Sequence, residues 1–120
     1  MVKIANTIED YKRCVKFLSE HHLVAIPFTI LFYVEEDSNI ICVCGYHRDY
    51  GSMLEPMIWK NTLSGIKAGK EMFLFMEDYL RKIGHVIIRF RSKHQPLINL
   101  MEKHFKFKKQ ESETYLIKEL

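Results

Sequence analysis

No apolar run in the chain approaches the roughly 20 residues that a membrane-spanning helix needs. Its start, Met1-Val2-Lys3-Ile4-Ala5, lacks the long apolar core of a secretion signal, so a cytoplasmic location without membrane contact is expected. Cysteine is scarce as well. Cys14, Cys42 and Cys44 are an odd set without a Cys-x-x-Cys pair, which argues against a disulfide framework or a zinc ribbon and leaves buried, reduced thiols. The six histidines offer no i, i+4 pair with an acidic partner and no spacing shared with cysteine, so no metal site is expected. There is no internal repeat, linker or low-complexity segment. A formal charge of +3 is mild, leaving room for an anionic ligand without implying nucleic acid.

What is present is an ordinary globular composition, 48% hydrophobic and 28% charged over 120 residues, enough for one domain, residues 1–120, with its own core. Val2 to Asn6 reads as a short strand. Thr7, with Asp10 three residues on, is a helix N-cap, and the following helix runs to about His21 with Ile8, Tyr11, Cys14, Val15 and Leu18 on its apolar face. Phe28–Val34 and Ile40–Tyr46 form a hairpin about the polar turn Glu36–Asn39, the second strand apolar on both faces and therefore central. His47–Ser52 is a further turn, and Met53–Trp59 returns as the next strand. Pro56 cannot donate to a ladder, so it marks an edge or a bulge, and bulges often re-aim a neighbouring side chain at a functional site. Here that neighbour is Glu55.

Ser64–Lys70 reads as a small glycine-bearing loop leading into the longest helical pattern, Ile66–Ile83, closed by Gly84. A strand that feeds a helix through such a loop aims backbone N–H groups at phosphate. His85–Arg91 is the next strand, and its helical link to Met53–Trp59 makes the two parallel. Gln95–Phe105 is an amphipathic helix, and two strands near Phe105–Lys109 and Thr114–Lys118 finish the chain. Phe105 and Phe107 alternate with lysines between Lys103 and Lys109, as on nucleic-acid surfaces. Burial explains the two rings better, and nucleic-acid binding is not expected.

The order of strand, helix, three antiparallel strands, helix, strand, helix and two strands resembles the GNAT superfamily of N-acetyltransferases over nearly the whole chain. That resemblance implies an α/β (α+β) fold with a mixed, mostly antiparallel central sheet of about six to seven strands and helices on both faces. It also implies acetyl-CoA as cofactor, held between splayed central strands with its pyrophosphate on the next loop and helix. The family loop is Gln/Arg-x-x-Gly-x-Gly/Ala, ending about fifteen residues before the glycine that closes the helix. Counted back from Gly84, this places Ser64, Lys67 and Gly69 at the signature positions, with only Gly69 matching. Gly65 and Ala68 are then the close-approach residues, and Lys67 and Lys70 the source of charge. Glu55 matches a carboxylate that many members use as general base for an amine attacking a thioester. Amides near Met57 and Ile58 would bind the carbonyl oxygen, and Trp59 would border the acyl-CoA cleft or a partner interface. His94 stands at the asparagine that opens the family's last helix, and Met101 replaces its usual tyrosine.

Two functions follow from the resemblance. One is a small acyltransferase that moves an acetyl group from acetyl-CoA to an amine. The alternative is a catalytically degenerate GNAT-fold structural or interaction protein of the kind bacteriophages carry, with a protein as partner. An exposed final strand is expected to permit a homodimer.

Overall fold

The computed structural model describes residues 1–25, 29–47, 53–91, 95–109 and 115–119. Within them the elements are β1 (Val2–Ile4), α1 (Ile8–Glu20), β2 (Ile30–Glu36), β3 (Asn39–His47), β4 (Met53–Trp59), α2 (Leu63–Lys82), β5 (Ile87–Arg91), α3 (Gln95–His104), β6 (Lys108–Lys109) and β7 (Tyr115–Glu119). This is the order read from the sequence. The strands form one seven-stranded sheet in the order β1-β2-β3-β4-β5-β7-β6. All neighbours are antiparallel except β4 and β5, which run parallel across the helical connection α2.

Period-two alternation along β2 and β3 decides the layering. Leu31, Tyr33 and Val43 point to one face, where Cys14, Phe17 and Leu18 of α1 cover them. Phe32, Val34, Cys42 and Cys44 point to the other, against Met72, Phe73, Met76 and Leu80 of α2. With helices on both faces, β3 is buried from Ile40 to His47, and its unbroken apolar run has a physical cause. Burial also pushes the thiols of Cys42 and Cys44 well up, and that of Cys14 to about 12, so all three behave as small core residues. On α2 the buried Glu77 meets Lys118 of β7, tying the longest helix to the far side of the sheet.

Four expectations are corrected. The buried stripe of α1 is Cys14, Phe17 and Leu18, while Ile8 and Val15 are exposed; Val15 follows Cys14 and so lies about 100° round the helix from it. Ile83 caps the end of α2 and is exposed. The final strand is not an edge, because β7 lies between β5 and the two-residue β6. The segment Ser64–Lys70 is not a loop, since α2 begins at Leu63 and includes it.

Phe105 and Phe107 are buried around Phe73, with ring centroids 4.9 and 6.0 Å from it. Between them Lys106 takes the left-handed conformation, φ 58°. That turn brings the Phe107 N–H to the Met101 carbonyl at 3.2 Å. The glycine that would fit this position best is absent, and the chain accepts the strain to bury both rings.

Candidate functional site

Strand β4 is paired with β3 along its length but with β5 only briefly. The β4–β5 register comprises Met53↔Arg89 and Leu54↔Phe90. On the other edge the register to β3 runs from Met53↔His47 to Trp59↔Cys42. From Glu55 onward, therefore, one edge of β4 faces a gap. The parting coincides with a bulge: Cys44 pairs with Met57 and Tyr46 with Leu54, so Glu55 and Pro56 together oppose Gly45. A Cβ on Gly45 would lie 2.5 Å from the Glu55 carbonyl oxygen, 2.8 Å from Thr29 Cγ2 and 2.9 Å from Pro56 Cδ. Only glycine lets the bulged strand lie against β3.

The hydrogen-bond alternation then fixes which amides face the gap. Lys60 donates its backbone N–H to the Ile41 carbonyl at 2.8 Å. In an antiparallel ladder the same direction recurs every second residue, so the Ile58 amide also turns toward β3. The amides of Met57 and Trp59 turn the other way, into the gap. Of the two amides expected to hold a carbonyl oxygen, that of Met57 faces the gap and that of Ile58 faces β3.

The gap is a cavity of about 640 Å³ lined by Met57, Ile58 and Trp59 of β4, Ile66 of α2, Leu97 and Leu100 of α3, and the polar side chains of His21 and Asn61. This falls within the few hundred to a thousand Å³ of ordinary small-molecule sites. Its shape comes from element ends. At the end of α1, His22 adopts a left-handed conformation, φ 60°. The N–H groups of His22 and Leu23 reach back to Ser19 and Leu18 at 3.0 and 2.9 Å, a Schellman turn. His21, the C-cap, is thereby set against Phe17, with ring centroids 4.4 Å apart and Nδ1 2.8 Å from the Phe17 carbonyl. A carbonyl only accepts, so Nδ1 carries the hydrogen.

Glu55 is half-buried at the point where the strands part and does not line the cavity itself. Leu54 and Met57, three residues apart, both pack on the α2 side, so the bulge at Glu55 and Pro56 breaks the alternation there. The last residue of β3, His47, is buried with Nδ1 3.2 Å from Thr29 Oγ1. The sequence reading placed His47 in a turn; β3 is longer than its apolar run suggested.

The residues expected to cradle pyrophosphate are arranged differently. The connection from β4 to α2 is only Lys60, Asn61 and Thr62. Thr62 is the N-cap, its hydroxyl accepting from the Gly65 N–H at 3.0 Å, and its own N–H donates to the Lys60 carbonyl at 2.8 Å. Gly65, Ala68 and Gly69 are buried on the inward face of α2. A Cβ on Gly65 would sit 1.9 Å from the Lys60 carbonyl oxygen, and one on Gly69 2.6 Å from the Trp59 ring. These glycines let the helix press on β4; they do not line a loop. Lys67 and Lys70 are exposed on the opposite side. His94 lies outside the described residues, and Met101 is fully buried in the core.

The sequence does carry a signal for this helix start. Thr62 three residues before Gly65 is an N-cap spacing, and Gly65, Ala68, Gly69, Met72, Phe73, Met76 and Leu80 form one i, i+3, i+4 stripe. His21, Asn61, Leu97 and Leu100 had no such signal, because they come from three separate elements.

Among the described residues no three His, Cys, Asp or Glu side chains gather as a metal site, and no helix is long and apolar enough to cross a membrane.

A mixed sheet whose fourth and fifth strands part after a bulge, with the helix between them on one face, is the GNAT-like fold. It is similar over its whole length to the crystal structure of an acetyltransferase of GNAT family from Staphylococcus aureus Mu50. The TM-score is 0.74 at 10% identity, covering 100% of this chain and 99% of that one. No protein-family model and no curated protein matches the chain in sequence.

Proposed function

We propose that the protein is an acyltransferase that moves an acyl group, in the simplest case acetyl from acetyl-CoA, to an amine. The observation that carries this reading is the cleft that opens along β4 immediately after Glu55. An acyl thioester lying there would meet Met57, Ile58 and Trp59, with the Met57 amide directed at its carbonyl oxygen. The amine nitrogen attacks the carbonyl carbon and its proton passes, directly or through a water, to the Glu55 carboxylate where the strands part. As the C–N bond forms, the C–S bond breaks and the thiolate leaves with the electron pair. A thiolate is a good enough leaving group to depart without an acid, which suits a chain that, by its resemblance to the family, carries Met101 at the usual tyrosine position.

Calorimetry with acetyl-CoA and an amine panel tests the reading. Wild type should bind and transfer. Glu55→Gln should bind within about twofold and transfer about 10²- to 10⁴-fold more slowly, the usual worth of a general base. Binding without transfer to any amine would overturn the catalytic reading.

A second reading, a GNAT-fold module without catalysis that binds a protein, in the manner of phage-type relatives, is favoured by one observation. The start of α2 is closed by Thr62 and packed on Lys60 and Trp59, where an active member would bind pyrophosphate. Failure of any acyl thioester to bind at millimolar concentration would select it.

A further inference from the structure

The cleft and the start of α2 disagree about the donor, and the disagreement is informative. Resting on the acyltransferase reading, we propose that this site recognises its donor by the thioester and the amide-bearing arm beside it, and not by a nucleotide diphosphate. Simple pantetheine thioesters are then as good donors as the CoA esters.

A diphosphate over a helix N-terminus needs free amides, room for close backbone approach and a nearby cation. Four amides at a helix start lack an intrahelical acceptor. In α2 the Thr62 amide is taken by the Lys60 carbonyl and the Gly65 amide by the Thr62 hydroxyl. The first turn, Leu63-Ser64-Gly65-Ile66, has no basic side chain. The two glycines that might admit a phosphate are already covered by Lys60 and Trp59. Lys67 and Lys70 are exposed and share the outward side with Leu63 and Leu74, which are 80% and 64% exposed; the 100° step of the helix turns that side away from β4.

The cleft has the complementary features. Among the described residues its walls are apolar, and its polar lining residues are His21 and Asn61. Because His21 Nδ1 donates to Phe17, the neutral ring keeps its lone pair on Nε2 and offers an acceptor; Asn61 offers both a donor and an acceptor. With the Met57 and Trp59 amides, this acceptor and this donor–acceptor pair match a chain of methylenes broken by secondary amides. Among the described residues no lysine or arginine lines the cleft to meet a multiply charged phosphate.

Trp59 is the only tryptophan and lines the cleft, so its fluorescence reports occupancy. The full chain is titrated with S-acetylpantetheine, acetyl-CoA and adenosine 3′,5′-bisphosphate. The two thioesters should bind within about threefold of each other, and the bisphosphate should neither change the signal nor displace them. Asn61→Ala should weaken both thioesters about fivefold, the worth of one hydrogen bond, with its thermal midpoint recorded as a check on folding. Lys67→Glu combined with Lys70→Glu, both on the surface, should leave acetyl-CoA affinity within about twofold. Acetyl-CoA binding tenfold tighter than S-acetylpantetheine, displacement by the bisphosphate, or a tenfold loss in the double lysine variant would each overturn the inference while the acyltransferase reading stands. If neither thioester binds at millimolar concentration, both fall together.

Discussion

The two edges of β4 do different work from the same seven residues. Toward β3 the strand is paired from Met53 to Trp59 and absorbs an extra residue opposite Gly45. Toward β5 it is paired at Met53 and Leu54 only. An edge without a strand neighbour exposes backbone amides, and here those of Met57 and Trp59 face an apolar cavity. The closed edge holds β4 in place, and the open edge is thereby fixed facing the cavity. The bulge at Glu55-Pro56 is where one behaviour gives way to the other.

The comparison is broken most severely at Gly45. Valine there would drive its side chain into the Glu55 backbone and should cost about 3 kcal/mol or more, read as a lowered urea midpoint. A loss under about 1 kcal/mol would mean that the closed edge is not close-packed. Next is the helix start that follows the open edge. Thr62→Ala removes the cap from Gly65 and should cost about 1 kcal/mol while leaving thioester affinity unchanged. A parallel loss of affinity would show that the α2 terminus takes part in binding after all.

Across the gap, Lys106→Gly relieves the left-handed strain after α3 and should stabilise the protein by about 0.5–1 kcal/mol, measured as a rise in thermal midpoint. A decrease would mean that the lysine side chain holds this turn.

The smallest effect belongs to the outer sheet, far from both edges. Hydrogen bonds from Arg13 and Lys3 hold the Glu35 carboxylate below its ordinary pKa. A depressed folded pKa gives stability that is present above the unfolded value, near 4.3, and lost as pH falls through the folded one. Wild type should therefore exceed Glu35→Gln by about 0.5 kcal/mol near pH 7, the worth of a part-buried pair that solvent still screens. The difference should shrink as pH falls below the unfolded value, and one that stays constant throughout would remove the ion pair as its cause.

Much of the scaffold was legible because it depends on local periodicity. Thr7 caps α1 as its spacing suggested, its hydroxyl accepting from the Asp10 N–H at 3.1 Å. The strand Met53–Trp59 has the expected bounds. The parallel placement of β5 followed from the intervening helix. The errors share a cause as well. In sequence Gly65 and Gly69 look like loop residues because glycine frees the backbone; it equally lets two elements touch, and sequence does not distinguish these uses. The outward turn of Val15 and the inward turn of Phe17 depend on where the sheet lies, which helical spacing alone does not specify.

The sequence by itself determined the element order, the two-sided burial of β3 and the proline bulge beside Glu55, because capping, alternation and the missing proline N–H act over a few residues. Only the tertiary structure decided that β4 leaves β5 after Leu54, that His21 and Asn61 meet Leu97 and Leu100 across the opening, and that the glycines of α2 are buried. Those facts arise from segments far apart in the chain closing on one another, and no local pattern encodes where they meet.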